Sequence, residues 1–484
     1  MASASPRATA APARYSGFLK RRAAITSFIL ARRAVRILMC AGDASGTSSG
    51  PKTIGSAKPC SRKRTAAARM RASSPSGITS LRPLSLILAF ASSITLIGIP
   101  LRMVDMSAEE KIEIHRGLKG VYFERSATTF IDGKAGELRY RGYSIHDLAQ
   151  HSSFEETAYL LLYGELPTVA ELSAFDEKLK EARQLPDEVL SIISTLKHGH
   201  PMDVLRTAVS ALSSFGPDSL DMSPEAMREK GIRLASQVPM IVAAHESIRN
   251  GRSAPVPDPM LSHAANFLWM ITGRVPSETS AQLMDRDLIL HAEHGSNASS
   301  FTARVVIGTE ANLHAAITAA IAALSGPAHG GAAEDVMRMA QEIGAPENAA
   351  AYVKAKRAAG DAVTGFGHRV YRTEDPRARH MREGVEQLSR EMGEPRWFAI
   401  LQAVVESMKP YARFGVNVNV DFYSGAIYYL NGIPPDLFVP IFAVGRMPGW
   451  TVQCLEQLQN NILIRPLTLY DGPSARPYRI ISQR

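Results

Sequence analysis

The chain has 484 residues, 45% of them hydrophobic and 21% charged, a composition typical of a globular protein with room for more than one domain. The net charge of +9 is uneven, because residues 1–105 contain 17 basic and two acidic residues. The rest contains 38 basic and 44 acidic residues, a balance of −6 that argues against nucleic-acid binding. Cys454 is the single cysteine of this part, which excludes a disulfide framework or a cysteine-based zinc site there.

The first 105 residues are predicted to lie outside the fold. Residues 1–80 are rich in Ala, Ser, Gly and Arg without a sustained helical pattern, which indicates disorder, and residues 84–101 are uncharged. Three interpretations stay open: translation that begins at Met103 or Met106, an organelle transit peptide, or a membrane segment or secretory signal. We favour the first, which predicts a cytoplasmic protein without a membrane partner. A genuine transit peptide would instead predict a mitochondrial protein.

Local signals after Met106 indicate helices. Asp132-Gly133 between two β-prone stretches first predicts a hairpin turn. Ser153 and Thr168, each with Glu three residues later, predict helix starts, and Ser223 followed by proline predicts another. Five apolar residues recur at helical spacing before a Gly-Pro break: Val204, Leu205, Ala208, Val209 and Leu212. Strands and helices do not alternate along the chain, so the predicted fold class is all-α.

Two histidines, His291 and His294, stand three residues apart, shortly before Asn297. Histidines at this spacing on a helix can bind a metal, but no third ligand is suggested nearby, so no metal site is predicted. On local grounds alone, an ordinary surface or core histidine is the favoured interpretation of both.

Two further histidines lie in glycine-rich segments. His329 stands in the string GPAHGG, which predicts a helix boundary where glycines let a ligand approach the backbone closely. The string lacks the Lys-Ser/Thr of a nucleotide-binding P-loop. His368 follows Gly-Phe-Gly and precedes four arginines that suit anionic ligands: Arg369, Arg372, Arg377 and Arg379. A solvated basic helix start is the alternative for this second segment.

One acid and two arginines stand in apolar surroundings. Asp421 follows Asn417 and Asn419 in an alternation with valines, so burial is expected to raise its pKa, as suits a general base. Arg446 and Arg465 each lie in an apolar stretch. A buried arginine needs an anion, which is either a structural acid or a substrate.

Together these clusters resemble the citrate synthase family, from about Gly117 to Gly472. The strings that carry the resemblance occur in the family's order: GPAHGG, GFGHRVYRTEDPRAR, NVNVDFYSG and FAVGR. The stretch HPMDVLRTAVS, residues 200–210, is similar to the short bacterial-type branch. One departure is Gly295, where the family usually carries Glu directly after the substrate histidine His294.

The resemblance implies that Asp421 removes a methyl proton from acetyl-CoA while His329 stabilises the enol or enolate. It implies that His368 polarises the oxaloacetate carbonyl and protonates the new alkoxide. Arg465 would reach in from the partner subunit of a homodimer, and Arg372 would contact coenzyme A phosphate. The other implied oxaloacetate ligands are His294, Asn297, Arg377 and Arg446. No metal or cofactor is implied, since the coenzyme A thioester is a substrate.

The resemblance also implies a large helical domain of residues 117–331 and 427–472 and a small helical domain of residues 332–426 that closes over small-molecule substrates. Two alternative functions stay open. A 2-methylcitrate synthase would perform the same chemistry on propionyl-CoA, and the acyl pocket is not legible from these motifs. A catalytically inactive helical binding protein is disfavoured, because the three chemical residues are all present.

Overall fold

The structure is a computed structural model that describes residues 112–216 and 220–484, so the predictions for the first 105 residues lie outside the described part of the chain. Most described residues are helical, which confirms the all-α prediction. The α-helices of these ranges are α1 Ile145–His151, α2 Phe154–Tyr163, α3 Val169–Glu181, α4 Asp187–Thr195, α5 Pro201–Leu212, α6 Pro224–Arg249, α7 His263–Thr272, α8 Glu278–His291, α9 Ala298–Ile307, α10 Leu313–Leu324, α11 Ala332–Ile343, α12 Ala349–Ala358, α13 Arg379–Glu391, α14 Pro395–Met408, α15 Asp421–Leu430 and α16 Phe438–Gln459.

Five short 3₁₀ helices complete the helical elements of the same ranges: Arg116–Leu118, Pro346–Asn348, Lys409–Phe414, Pro435–Leu437 and Ile481–Gln483. Within residues 112–216 and 220–484, no helix combines the length and the apolar character needed to cross a lipid bilayer.

A small antiparallel sheet precedes the helices, with strands β1 Thr129–Asp132, β2 Glu137–Tyr140 and β3 Tyr143–Ser144 in the order β1-β2-β3. The Asp132 carboxylate starts the turn by accepting hydrogen bonds from the backbone N–H groups of Lys134 and Ala135, at 2.8 and 3.0 Å. The predicted hairpin at Asp132-Gly133 is thereby confirmed. Its second strand is tied to the helical body, because the buried Tyr140 hydroxyl lies 3.3 Å from two carbonyls near the end of α8.

The predicted helix starts are confirmed by their capping hydrogen bonds. Ser153 and Ser223 each accept a bond from a backbone N–H three residues later, at the starts of α2 and α6. Thr168 and Glu171 form both halves of a capping box at the start of α3. Each cap satisfies a backbone donor that has no partner within its own helix, so the local sequence alone determines where these helices begin.

Two long helices form the centre of the body. Helices α6 and α16 bury residues on nearly all sides, as expected of helices surrounded by others. Helix α16 contacts α6, α8, α9 and α10, and it includes the buried Cys454. The apolar face predicted for α5 is likewise buried. The central position of α16 matters for function, because Arg446 lies in the middle of it, next to the end of α8.

Candidate active site

The candidate site lies around the end of α8, where loops from several parts of the chain meet α16. The segments 365–367 and 417–419 pair through backbone hydrogen bonds of 2.7 and 2.9 Å. Gly365 has a φ of +81°, and a Cβ there would lie 2.5 Å from the aromatic ring of the residue after Asp421, so glycine is required. This pairing brings the loop that carries His368 next to the start of α15, which carries Asp421.

His329 lies in the loop between α10 and α11, at the predicted helix boundary. Its Nε2 is 3.3 Å from the backbone N–H of Ser299 and 2.9 Å from the Ser299 hydroxyl, which in turn accepts a bond from the Trp450 indole at 3.1 Å. An amide donor facing Nε2 places the proton on Nδ1. Burial, with the charge of Arg446, lowers the pKa of His329 to about 4. The side chain is therefore a neutral imidazole with Nδ1–H available as a donor.

His368 is fixed in the opposite tautomer. Its Nδ1 accepts hydrogen bonds from the backbone N–H groups of Val370 and Tyr371, both at 3.1 Å. The proton therefore resides on Nε2. Burial, with the charge of Arg377, lowers the pKa of His368 to about 4. This histidine is also a neutral donor at neutral pH, through Nε2–H.

His294 lies just beyond the end of α8, and its ring centre is 5.3 Å from that of His368. Its Nε2 is 3.0 Å from the Tyr371 hydroxyl, which fixes the ring orientation that the sequence left uncertain. Gly295 has a φ of +58° and donates its N–H to Glu293 at 2.5 Å. The glycine thus allows a sharp turn directly after His294. Burial, with the charge of Arg377, holds the pKa of His294 well below its usual range.

Asp421 is the first residue of α15 and is partly buried. Within the described part of the chain, its carboxylate forms no hydrogen bond or ion pair. Burial raises its pKa, and the charge of His291 opposes that rise. A carboxylate without a partner and with a raised pKa is suited to accept a proton.

Arg377 is almost completely buried and is already paired with an acid of its own loop. Its Nε and Nη2 donate to the two oxygens of Asp375 at 2.9 and 2.7 Å, and its backbone N–H donates to the same carboxylate at 3.0 Å. This side-on pairing leaves Nη1 without a partner among the described residues. Arg377 is thus held rigidly, with one donor group free for a second anion.

Arg446 is 1% exposed, yet it forms no ion pair with any residue that the structure describes. Its Nε donates to the His291 carbonyl, and its guanidinium lies 4.7 Å from the centre of the Phe442 ring. Burial lowers its pKa to about 10, and the nearby Glu293 charge acts in the opposite direction. A buried cation without a direct counter-ion is the expected signature of an anion-binding site.

Three other predicted residues form no hydrogen bond or ion pair with the histidines, Asp421, Arg377 or Arg446 described above. The side-chain carbonyl oxygen of Asn297 caps α9 by accepting hydrogen bonds from the backbone N–H groups of Ser299 and Ser300, both at 3.1 Å. The Asn297 side chain therefore stabilises the start of this helix. Arg372 is exposed and borders a cavity of about 380 Å³, whose lining also includes Lys134 of the hairpin. Arg465 is exposed in the C-terminal segment after α16 and forms no hydrogen bond or ion pair with any described residue.

The structure adds site residues that the sequence interpretation did not single out: Ser299, Tyr371, Asp375, Phe442, Trp450 and Glu293. Asp375 could have been found, because it lies two residues before Arg377. Glu293 is fully buried, and burial raises its pKa to about 7. Among the described residues, no group of three or more His, Cys, Asp or Glu side chains is arranged to hold a metal ion.

Comparisons with known proteins agree with this geometry. Residues 117–467 match the family model for citrate synthase, C-terminal domain. The chain belongs to the citrate synthase family. It is 42% identical over 378 residues to a citrate synthase from Haloferax volcanii, an alignment that covers 77% of this chain and 99% of the relative. Family membership makes the chain an enzyme of the acyltransferase type.

Relatives named citrate synthase and relatives named 2-methylcitrate synthase have similar sequence identities to this chain. A 2-methylcitrate synthase from Corynebacterium glutamicum is 39% identical over 378 residues, with 77% of this chain and 99% of the relative covered. A citrate synthase structure from Thermoplasma acidophilum, in a ternary complex with carboxymethyl coenzyme A and oxaloacetate, matches with a TM-score of 0.73 and 32% identity. That match covers 77% of this chain and all of the other, which confirms the citrate-synthase-like fold.

Proposed function

We propose that this citrate synthase family member condenses acetyl-CoA with oxaloacetate and then hydrolyses the thioester to release citrate and coenzyme A. The observation that carries the proposal is the combination of a carboxylate without a partner, Asp421, with neutral histidine donors and a buried arginine that lacks a counter-ion. These are the groups that enolisation of a thioester and binding of a dicarboxylate require.

Enolisation is the difficult step, because a thioester methyl group is a weak acid. The Asp421 carboxylate is suited to remove the methyl proton, since burial raises its pKa. His329 is suited to donate Nδ1–H to the thioester oxygen as negative charge develops there. Because its pKa is lowered to about 4, this histidine acts as a hydrogen-bond donor rather than as a cation.

The second substrate is a keto acid with two carboxylates. His368 presents Nε2–H as the donor that polarises the ketone, so that the enolate carbon attacks it and the new alkoxide receives a proton. Arg446 supplies an uncompensated buried charge for one carboxylate, and Arg377 supplies its free Nη1. His294, held by the Tyr371 hydroxyl, lies beside His368 as a further ligand.

Coenzyme A carries phosphates that need cations outside the reaction centre. The cavity beside Arg372 has an apolar part formed by Phe130 and Val370 and a second cation in Lys134. An exposed arginine next to a lysine can bind the phosphates of coenzyme A. The apolar lining can contact the less polar parts of the same molecule. The chemistry described above requires no redox group and no metal, since acid, base and hydrogen-bond donors come from side chains.

A homodimer with Arg465 acting in the partner's site belongs to the same proposal. Arg465 lies in a segment without helix or strand between α16 and the last 3₁₀ turn. Leu467 and Tyr470 of this segment are 87% and 74% exposed, an unusual exposure for large apolar residues. A second copy of the chain is the occupant we propose for this surface, which would bury the apolar residues and deliver Arg465 to a neighbouring site.

The test of function is release of free thiol from acetyl-CoA and from propionyl-CoA, each with oxaloacetate, on the purified protein. We expect a higher kcat/KM with acetyl-CoA. A higher value with propionyl-CoA would instead assign 2-methylcitrate synthase activity, the alternative that the named relatives keep open. An Asp421→Asn protein serves as the matched blank, and no thiol release above that blank with either thioester would contradict the proposed reaction.

A further inference from the structure

His291 is a buried residue in the wall of the site to which the proposed reaction assigns no task. It is the last residue of α8 and is 1% exposed. Its carbonyl accepts a hydrogen bond from Arg446, and its ring centre lies 4.7 Å from that of Phe442, which is 6.4 Å from the His329 ring. His291 therefore lies among the substrate-binding and catalytic groups rather than in the remote core.

The hydrogen bonds of the ring leave one nitrogen unused. Nδ1 lies 2.9 Å from the Asp287 carbonyl oxygen and 3.3 Å from the Asp287 carboxylate, and both of these atoms are acceptors. Nδ1 must therefore carry a proton in either charge state of the ring. Nε2 is buried and has no hydrogen-bond partner in the part of the chain that the structure describes. Buried polar atoms of this kind are uncommon and need a physical explanation.

The packing of α15 against α8 shows which group stands opposite. Ser424 donates to one oxygen of the Asp287 carboxylate at 2.6 Å, and Tyr428 donates to the other. Asp421 lies three residues before Ser424, on the same face of α15, and His291 lies four residues after Asp287, on the same face of α8. Asp421 and His291 thus each lie one turn away from the Ser424–Asp287 bond, and the two side chains are close enough to interact electrostatically.

The electrostatics of Asp421 agree with this placement. After burial, which raises its pKa, the charge of His291 has the largest effect and lowers it. The other charged groups that face Asp421 are Arg377, which also lowers its pKa, and Asp375 and Asp287, which raise it. His291 is therefore the group of α8 that favours the ionised base, whereas Asp287 of the same helix disfavours it.

We propose that His291, as the doubly protonated imidazolium, is a positioning residue for Asp421: Asp287 holds the ring through Nδ1–H, and Nε2–H faces the Asp421 carboxylate, orienting it and favouring its ionised form. This inference rests on the proposed function, because it assigns Asp421 as the base. A merely structural role for His291 would need only the Nδ1 contact with Asp287 and would leave proton abstraction unchanged.

Two substitutions separate these roles. In His291→Asn, the amide can replace the Nδ1 contact with Asp287, but nothing remains at the position of Nε2. In His291→Gln, the longer amide reaches towards the position of Nε2. His314→Gln is the matched control, because His314 is also buried, on α10, and belongs to no part of the site. Thermal unfolding checks that each variant is folded.

The decisive measurement is the exchange of acetyl-CoA methyl protons with deuterated water in the presence of a non-reacting dicarboxylate analogue of oxaloacetate, which reports proton abstraction alone. We expect His291→Asn to slow this exchange about 100-fold, the effect of misplacing one reacting group. His291→Gln should recover part of the loss, and the control should match the wild type. The acidic limb of the kcat pH profile should move to higher pH in His291→Asn, because loss of the histidine raises the pKa of the base.

A folded His291→Asn protein with unchanged exchange rate and unchanged pH profile would overturn the inference. Should that variant not fold, the same measurements on His291→Gln decide, with a wild-type rate and profile as the contrary outcome. The activity of the wild type distinguishes a failure of the proposed function from a failure of the role assigned to His291. A wild type without thiol release contradicts the proposed function, whereas an active wild type with an unaffected variant contradicts only the role of His291.

Discussion

His329 and His368 each have one ring nitrogen facing backbone N–H groups, so the other nitrogen carries the proton and is free to donate. Burial lowers both pKa values to about 4, so neither ring becomes charged at neutral pH. In the proposed mechanism, stabilisation of the developing oxyanions would therefore come from neutral donors, and Asp421 would be the one group of the three that must be ionised before the reaction.

Asp421→Asn is expected to abolish condensation while oxaloacetate still binds, because the amide preserves shape and removes the base. The expected loss in kcat is about 10³-fold or more, or roughly 4 kcal/mol of barrier. Thiol release measures the rate, and calorimetric titration with oxaloacetate measures binding. Turnover near the wild-type value would contradict the assignment of Asp421 as the base.

Asp375→Ala is expected to destabilise the fold, because it leaves the Arg377 charge buried without its acid. Losing one partner of a buried pair costs about 3–5 kcal/mol. Urea unfolding measures the loss. Glu386→Ala is the control, since its pair with Arg390 is exposed and contributes at most about 1 kcal/mol. Equal free energies of unfolding for both variants would contradict the importance of the buried pair.

The same pair makes a stability contribution that depends on pH. Burial raises the pKa of Asp375, but the charge and hydrogen bonds of Arg377 outweigh it and bring the pKa below its ordinary value. The contribution is therefore present above the ordinary pKa of an aspartate. It is lost as the pH falls through the lowered value, because protonation removes the charge that Arg377 needs.

At the scale of elements, two helices approach closely to build the site. A Cβ at Gly449 of α16 would lie 2.1 Å from the Ala292 carbonyl oxygen and 2.6 Å from the Glu293 carboxylate, just beyond the end of α8. Glycine at this position lets α16 lie directly against the end of α8. The same contact allows Arg446, one turn earlier on α16, to reach the His291 carbonyl.

Gly449→Ala should separate α16 from the end of α8, because backbone cannot give way as a flexible side chain can. We expect a loss of about 1–3 kcal/mol from overpacking and a raised KM for oxaloacetate. Gly326→Ala is the stability control, since its Cβ would meet no atom closer than 3.6 Å. Thermal unfolding and steady-state kinetics provide the measurements, and a Gly449→Ala protein indistinguishable from wild type would refute the close approach.

At the scale of the whole molecule, the predicted small domain of residues 332–426 should close over the substrates. The reason is that His329 and Asp421 flank this segment, so closure would complete the site and exclude water. Small-angle scattering with saturating oxaloacetate should show a smaller radius of gyration than without it. Identical profiles in both states would argue against closure.

The shared active site is tested by mixing two inactive variants, Asp421→Asn and Arg465→Ala, refolded together. In a mixed dimer, one site combines the intact Asp421 of one chain with the intact Arg465 of its partner. Random mixing produces about half mixed dimers with one good site of two, so roughly a quarter of wild-type activity should return.

If Arg465 serves its own chain, every site keeps one defect and no activity returns. Mass measurement of the mixed dimers is the control that makes such a result decisive against the shared site. The exposed apolar segment around Arg465 provides an independent check, because dimer formation should protect its backbone from hydrogen exchange.

Signals between residues close in the chain could be interpreted from the sequence alone. The caps at Ser153, Thr168 and Ser223 depend on a hydrogen bond that spans three residues, and each is present in the structure. The position of His329 at a helix boundary follows from its Pro and Gly neighbours in the same way. The family and the helical fold class could therefore be predicted before the tertiary structure was considered.

The tautomers of the histidines, the burial of the site residues and the presence or absence of counter-ions for the arginines were decided only by the tertiary structure. The proton of His329 is placed by Ser299, thirty residues earlier, and the setting of His291 depends on α15, which lies far along the chain. Arg446 lacks a counter-ion, whereas Arg377 has one, although both arginines are buried. The physical reason is that a pKa or a free hydrogen-bond donor depends on which distant groups folding brings within a few ångströms, and local sequence does not encode those distances.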